Sequence, residues 1–252
     1  MKKRIKVILP VPMPQEAVNI FKTQVPQTLK RPDIDYEWIA TKNGANILDS
    51  YYDSVLSDVF VMSSGVRAEE EGFSAVCVNS MSDSGLKGLR SRLKIPVFGP
   101  CHTSFLTACM LGKKFSVITM WDEWIHMYKK TLQEEGIEKR CASIRSINVR
   151  PDTKELLNGK EDFVFEKLLD ESNKAIKKDG ADVLILGSTT MHQSYSFLKD
   201  NLTVPILNPG VVAFKLCEMF LDMGISHSKL AYPSPEKNND FVLENVPAVE
   251  FQ

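Results

Sequence analysis

Long apolar runs, an excess of either charge and paired cysteine spacings are all missing from this chain, and each absence closes off a class of function. No segment approaches the roughly 18 consecutive apolar residues of a membrane span, so no membrane partner is expected. Lys and Arg number 31 against 32 Asp and Glu, for a net charge of -1 with the signs interspersed. Neither a basic patch nor a like-charge run is there to engage nucleic acid or a lipid surface, and none is expected as a partner. The five cysteines (Cys77, Cys101, Cys109, Cys141 and Cys217) are odd in number and lack Cys-x-x-Cys spacing, which argues against a disulfide framework and a zinc site. After Met1-Lys-Lys-Arg4 no apolar stretch is long enough for a signal peptide, so a cytoplasmic location is expected. A small molecule is the expected partner, with no metal.

With 252 residues, 43% of them hydrophobic and 25% charged, the chain suits a soluble globular protein of one large or two ordinary domains. Short apolar runs predict strands at Ile5–Leu9, Ile34–Ala40, Ala75–Asn79, Val97–Gly99, Phe115–Thr119, Ser143–Val149, Val183–Gly187 and Ile206–Asn208. Their apolar character is mostly continuous, as in strands buried on both faces. Helical spacing predicts helices at Gln15–Gln27, Tyr51–Glu71, Gly85–Leu93, Ser104–Leu111, Trp124–Glu135, Glu161–Asp179, Gln193–Asp200 and Val211–Met223. Strand alternating with helix implies an α/β fold of mainly parallel sheets flanked by helices.

The alternation is also duplicated. Ala75-Val-Cys-Val-Asn-Ser80 is echoed about 108 residues later by Asp182-Val-Leu-Ile-Leu-Gly-Ser188, Ile95-Pro-Val-Phe-Gly-Pro100 by Val204-Pro-Ile-Leu-Asn-Pro209, and Lys3-Arg-Ile-Lys-Val-Ile-Leu9 by Lys113-Lys-Phe-Ser-Val-Ile-Thr119. Three matched elements at one period predict two pseudo-symmetric half-domains. The first takes residues 1–100 with 209–252, where 225–252 reads as an extended arm, and the second takes 101–208. In parallel sheets ligands meet the carboxyl ends of strands, which selects Pro10, Asn79 with Ser80, Gly99 to His102, Thr119 to Trp121, Ser188 to Thr190 and Asn208 to Gly210. A pseudo-twofold would bring these edges to one cleft, with Ser80 and Ser188 on opposite sides of a ligand. Cys77, Cys109 and Cys217 read as small buried hydrophobes. Cys101, after Gly-Pro, reads as lying in a loop where a thiol can be exposed and reactive.

Gly72-Phe-Ser-Ala-Val, Asp83-Ser-Gly-Leu86, Ile95-Pro-Val-Phe-Gly99, Leu111-Gly-Lys-Lys-Phe-Ser-Val-Ile-Thr119 and Asp179-Gly-Ala-Asp-Val-Leu-Ile-Leu-Gly187 occur in the order of similar phrases in the hydantoin racemase branch of the aspartate/glutamate/hydantoin racemase superfamily. The chain resembles that branch from residue 1 to about 222. The resemblance implies a cofactor-independent enzyme acting at the carbon α to a carboxylate or carbonyl of a small substrate, such as a hydantoin or an amino acid, and it implies a homo-oligomer. In that family two cysteines flank the stereocentre, one removing the α-proton and the other supplying one from the opposite face. At the matching positions this chain has Ser80 and Ser188-Thr-Thr-Met191. It also has Leu9-Pro10 where Asn-Pro is usual, and His102 where the branch tends to be acidic.

A thiol titrates near 8.5, whereas a hydroxyl approaching the pKa of water is weaker by roughly 7 units, about 10 kcal/mol. Two unassisted serines therefore make a poor pair of bases. His192, four residues after Ser188, would share its face on an α-helix. Asp83 can polarise Ser80, or Asp83 or Ser84 can cap the next helix. His102 is placed to reach the cleft from its loop, and Cys101 is a secondary substitute for a lost thiol. Ser80, Ser188 and His192 are thus the expected catalytic residues. Hydroxyls and amides at helix N-termini form anion sites, so Met81, Ser82, Thr189 and Thr190 are expected to cradle a carboxylate or developing enolate. Pro10, Asn79, His102, Thr119, Trp121 and Tyr52 complete the expected substrate contacts, with Trp124 beside Trp121 as an apolar wall. The same oxyanion pocket would serve a decarboxylase or other lyase, or a non-catalytic binder, and these stand as alternatives.

Overall fold

Continuous apolar runs become strands sealed on both faces. A computed structural model describes residues 2–151, 161–244 and 247–249. Among them are eight strands, β1 (Lys3–Leu9), β2 (Ile34–Ala40), β3 (Ala75–Val78), β4 (Val97–Phe98), β5 (Phe115–Thr119), β6 (Cys141–Ser146), β7 (Val183–Leu186) and β8 (Ile206–Leu207). The helices are α1 (Gln15–Phe21), α2 (Tyr51–Gly65), α3 (Leu86–Arg92), α4 (Pro100–Leu111), α5 (Ile125–Glu135), α6 (Glu161–Asp179), α7 (Tyr195–Asn201), α8 (Pro209–Met223) and α9 (Phe241–Glu244).

The chain packs as two units, residues 1–99 with 213–252 and residues 100–212. The first holds a four-stranded sheet in the order β2-β1-β3-β4, and the second a sheet in the order β6-β5-β7-β8. Every pairing is parallel. The duplication seen in the sequence reaches the register: Val76 pairs with Val97 and Cys77 with Phe98 in one sheet, and Leu184 with Ile206 and Ile185 with Leu207 in the other. In the first unit Ile5, Val7 and Leu9 of β1 pack with Ala213, Phe214 and Cys217 of α8 on one face. On the other face Ile8, Val76 and Val78 pack with Val61, Leu86 and Leu89. In the second unit Val117, Ile118, Leu184 and Ile185 are fully buried. At the far edge of that sheet Arg145 of β6 donates a hydrogen bond to each carboxylate oxygen of Asp179.

Several element ends differ from the sequence expectation for identifiable reasons. The first helix stops at Phe21 rather than Gln27 and passes into single 3₁₀ turns. Pro26 pushes Val25 into an extended conformation, which ends the helix. The helix expected to reach Glu71 ends at Gly65, and the chain then tightens, with the Ala68 amide bonded to the Gly65 carbonyl. β6 runs Cys141–Ser146 rather than on to Val149, because Asn148 takes a left-handed φ of 50°.

The most consequential difference is at α4, which begins at Pro100 and not Ser104. Proline fits a first helical turn, where its missing N–H costs nothing. The stretch read as a loop is therefore helix, and Cys101 is 0% exposed within it. Residues 225–252 are not simply an extended arm. Lys229 Nζ donates to the carbonyls of Arg90, Ser91 and Leu93 at the end of α3, Arg90 donates to the Tyr232 hydroxyl, and Arg92 clasps Asp240.

The pairing of Arg145 with Asp179 carries a pH signature. Hydrogen bonds from Arg145, then Ser143, hold the Asp179 carboxyl below the usual aspartate range. A carboxyl with a lowered folded-state pKa adds stability that is present above about pH 4 and lost as pH falls through the folded value. Asp179→Asn is expected to cost up to about 1 kcal/mol at pH 7. Its acid unfolding curve should be flatter than that of the parent below pH 4, and pH-dependent thermal melts of the two proteins make the comparison.

Candidate active site

The two strand-end serines sit in the same hydrogen-bonded turn, each within its own unit. Ser80 follows β3 and Ser188 follows β7, and both are largely buried, at 7% and 9% exposure. Ser80 Oγ accepts from the Ser82 amide at 3.2 Å and lies 2.7 Å from Ser82 Oγ. Ser188 Oγ accepts from the Thr190 amide at 3.2 Å and lies 2.8 Å from Thr190 Oγ1. In both turns the amide three residues on, Asp83 or Met191, donates to the serine carbonyl. Each serine oxygen thus meets an amide and a hydroxyl from the second residue along, Ser82 or Thr190. In the first unit the hydroxyls continue from Ser82 to the buried Ser84, again at 2.7 Å.

These turns change how the donors are used. The anion cradle expected from helix N-termini is not built that way, because α3 begins only at Leu86 and a 3₁₀ segment, Thr189–Ser194, follows Ser188. The amides of Ser82 and Thr190 are directed at the serine oxygens themselves. Met81 and Thr189 have buried side chains, and the Thr189 carbonyl lies 3.0 Å from His192 Nδ1. A carbonyl only accepts, so that nitrogen carries a proton. A 3₁₀ segment has three residues per turn, so positions four apart do not share a face, and the argument pairing His192 with Ser188 fails. Neither Asp83 nor Ser84 caps α3: its N-cap is Gly85, with φ of 67°, whose amide donates to Asp58 at 2.7 Å. Asp83 takes a left-handed φ of 49°, and a Cβ at Gly99 would lie 2.2 Å from Asp83 Oδ1.

The remaining expected contacts divide by what already holds them. The Asn79 and Gln24 amides pair reciprocally at 3.0 and 3.1 Å, both buried. The Thr119 hydroxyl lies 2.8 Å from the Tyr128 hydroxyl, which donates to the Gly187 carbonyl at 2.5 Å. The Pro10 carbonyl accepts from Ser57. His102 is not on a loop: it lies in α4, with Nδ1 2.9 Å from a carboxylate oxygen of Glu135. Tyr52, in the first turn of α2, is 73% exposed. Trp121 meets Trp124 edge to face, and the Arg150 guanidinium sits 5.7 Å from its ring centre. Trp121 and Trp124 follow β5, and Asn208 follows β8. Among the described residues no cluster of three His, Cys, Asp or Glu suits a metal, and no helix is long and apolar enough to cross a membrane.

Gln24, Tyr128 and Arg150 were not legible as site residues. Gln24 and Tyr128 lie in stretches of helical spacing far from any strand end, and only Arg150, just past β6, stood near a carboxyl edge. Tyr128 is fully buried, and burial first, eased by the Thr119 hydrogen bond, pushes its phenol far above the ordinary range. It is therefore a neutral strut joining the ends of β5 and β7 just before Ser188. Tyr128→Phe leaves the Gly187 carbonyl and the Thr119 hydroxyl without it, a cost of about 1–3 kcal/mol by urea unfolding.

Comparison with known proteins places this geometry among racemases. The family described as Asp/Glu/Hydantoin racemase matches residues 17–217. A hydantoin racemase from Pseudomonas sp. (strain NS671) is 30% identical over 210 residues, covering 82% of each chain. Allantoin racemase from Pseudomonas fluorescens superposes with a TM-score of 0.83 at 25% identity, covering 94% of this chain and 98% of that one. Allantoin racemase from Klebsiella pneumoniae gives 0.85 at 23% identity, covering 94% and 95%, a likeness of fold.

Proposed function

The chain belongs to the Asp/Glu/Hydantoin racemase family, a family of isomerases, and on that premise we propose that it racemises a hydantoin-like small molecule through Ser80 and Ser188. Without a cofactor, one serine oxygen takes the proton from the carbon α to the ring carbonyl, leaving a planar enolate. The other serine hydroxyl delivers a proton to the opposite face, and the two exchange roles for the other enantiomer. One proton leaves and one arrives, so the product differs only in configuration.

The repeated serine turn carries this reading. A lone hydroxyl is too weak an acid to furnish the base, but a group whose charged form accepts hydrogen bonds has that form favoured. Ser80 Oγ accepts from the Ser82 amide with the Ser82 hydroxyl beside it, and Ser188 Oγ is served in the same way by Thr190. Two donors on each oxygen stabilise an alkoxide as it forms, in a site from which most water is excluded. His192, four residues from Ser188 and bonded through Nδ1 to Thr189, is proposed to act through that turn.

Incubation of one enantiomer of a 5-substituted hydantoin in deuterated water tests the reaction. Loss of the C5 proton signal and decay of circular dichroism are expected together. Failure to exchange that proton on any hydantoin, by a folded protein that binds them, would sink racemisation. Release of CO2 from a carboxylated substrate would put the lyase alternative in its place.

A further inference from the structure

Two buried polar atoms at the carboxyl edge of the second sheet make no hydrogen bond. One is Asn208 Oδ1, in a residue 7% exposed at the end of β8, and the other is Trp124 Nε1, in a residue 8% exposed in the turn after β5. In the sheet order β6-β5-β7-β8 they flank β7, the strand that ends at Ser188. An unmet acceptor stands on one side of that strand and an unmet donor on the other.

The Asn208 acceptor is unusual for its place. Asparagine before a helix ordinarily spends its side-chain oxygen on the first-turn amides. Asn208 precedes the 15-residue α8 and its backbone carbonyl accepts from Val212, yet Oδ1 accepts nothing. Buried polar groups left unmet in a folded protein are few, and each calls for a partner. The matching position of the first unit is Gly99, and there the carboxylate of Asp83 fills the space a side chain would occupy. The residue matching Asp83 in the second unit is Met191. Each unit therefore presents one acceptor at this strand end, from the turn in the first and from the strand in the second.

We infer that Asn208 and Trp124 read a neutral amide edge of the substrate, Asn208 Oδ1 accepting a ring N–H and Trp124 Nε1 donating to a ring carbonyl. The inference rests on the proposed function and narrows the substrate to a cyclic ureide or imide. Both groups are neutral and buried, so an ammonium or carboxylate would lose its hydration without a counter-charge from either. A ring ureide brings a neutral donor and a neutral acceptor, and both unmet atoms are satisfied when it binds.

Calorimetric titration with 5-benzylhydantoin and its N1,N3-dimethyl derivative tests this on the full chain. The parent protein should bind the unmethylated probe about tenfold or more tightly. Asn208→Leu should bind it about tenfold more weakly and no longer distinguish the two, with an unchanged or raised Tm, because the unmet acceptor has gone. Asn208→Asp, which keeps the acceptor geometry, covers the case in which the leucine variant does not fold, and it should keep the discrimination. Trp124→Phe should lose affinity for both probes alike, since both keep their carbonyls. Normal affinity and discrimination in Asn208→Leu, in a protein that exchanges the probe's C5 proton, would overturn this assignment alone. Methyl-sensitive binding without exchange would overturn the functional reading alone, and a parent protein that binds neither probe would overturn both.

Discussion

Alanine at Ser80 or at Ser188 is expected to lower racemisation by about 10²–10⁴-fold, the usual contribution of one positioned acid or base. The two variants should differ in what survives. A protein keeping only one serine can still remove the proton of the enantiomer that presents it to that side and return a solvent proton to the same face. Each variant should therefore exchange deuterium into one enantiomer while racemising neither, and the favoured enantiomer should switch between Ser80→Ala and Ser188→Ala. The double variant should racemise little worse than either single one, because residues acting as a unit lose function together. Folding is a minor concern: each substitution removes one hydroxyl from a turn that keeps its amide-to-carbonyl bond, from Asp83 to Ser80 or from Met191 to Ser188. Chiral chromatography beside proton NMR in deuterated water reads both quantities. Racemisation at the parental rate by either variant would remove the serines from the chemistry.

The sheets were legible because a strand buried on both faces must be apolar along its length. Ile34–Ala40 and Phe115–Thr119 could be read to the residue. The duplicated strand ends also announced the repeated strand order, since the same phrases recur in the same sequence. Helix starts were harder to read. Gly99-Pro100 has the look of a loop, yet proline is at home in a first helical turn, and that one misreading displaced both Cys101 and His102. The serine turns were legible as positions but not as devices. Nothing in Ser80-Met-Ser82 or Ser188-Thr-Thr190 says that the second residue turns its amide and hydroxyl onto the first. A 3₁₀ turn and an α-turn share the same residue preferences here, so the place of His192 depended on geometry that spacing does not encode. Tyr128 was hidden for the opposite reason: a tyrosine among helical spacings reads as packing, and its hydroxyl acquires a role only when β5 and β7 come together beside it.

Cysteine at both positions is expected to raise the racemisation rate, by tenfold or more at pH 8. A thiol near 8.5 is already partly ionised there, while a hydroxyl must be coaxed across most of a gap of about 7 units, and that advantage exceeds what two hydrogen bonds recover. The turn can receive sulfur, because the amides of Ser82 and Thr190 stand 3.2 Å from the oxygens they serve, a distance that lengthens without losing the contact. Single substitutions should gain less. In Ser80→Cys the thiolate removes one enantiomer's proton readily, but the Ser188 hydroxyl must still protonate the far face, so exchange into that enantiomer should accelerate more than its conversion. The pH profile gives a second readout: the doubly substituted protein should acquire a limb rising through the thiol range, which the parent lacks. A double variant with an unaltered Tm, slower than the parent and without that limb, would mean that these turns are shaped for hydroxyl groups as donors to a substrate anion. The reaction would then be one that begins with loss of a group other than the α-proton.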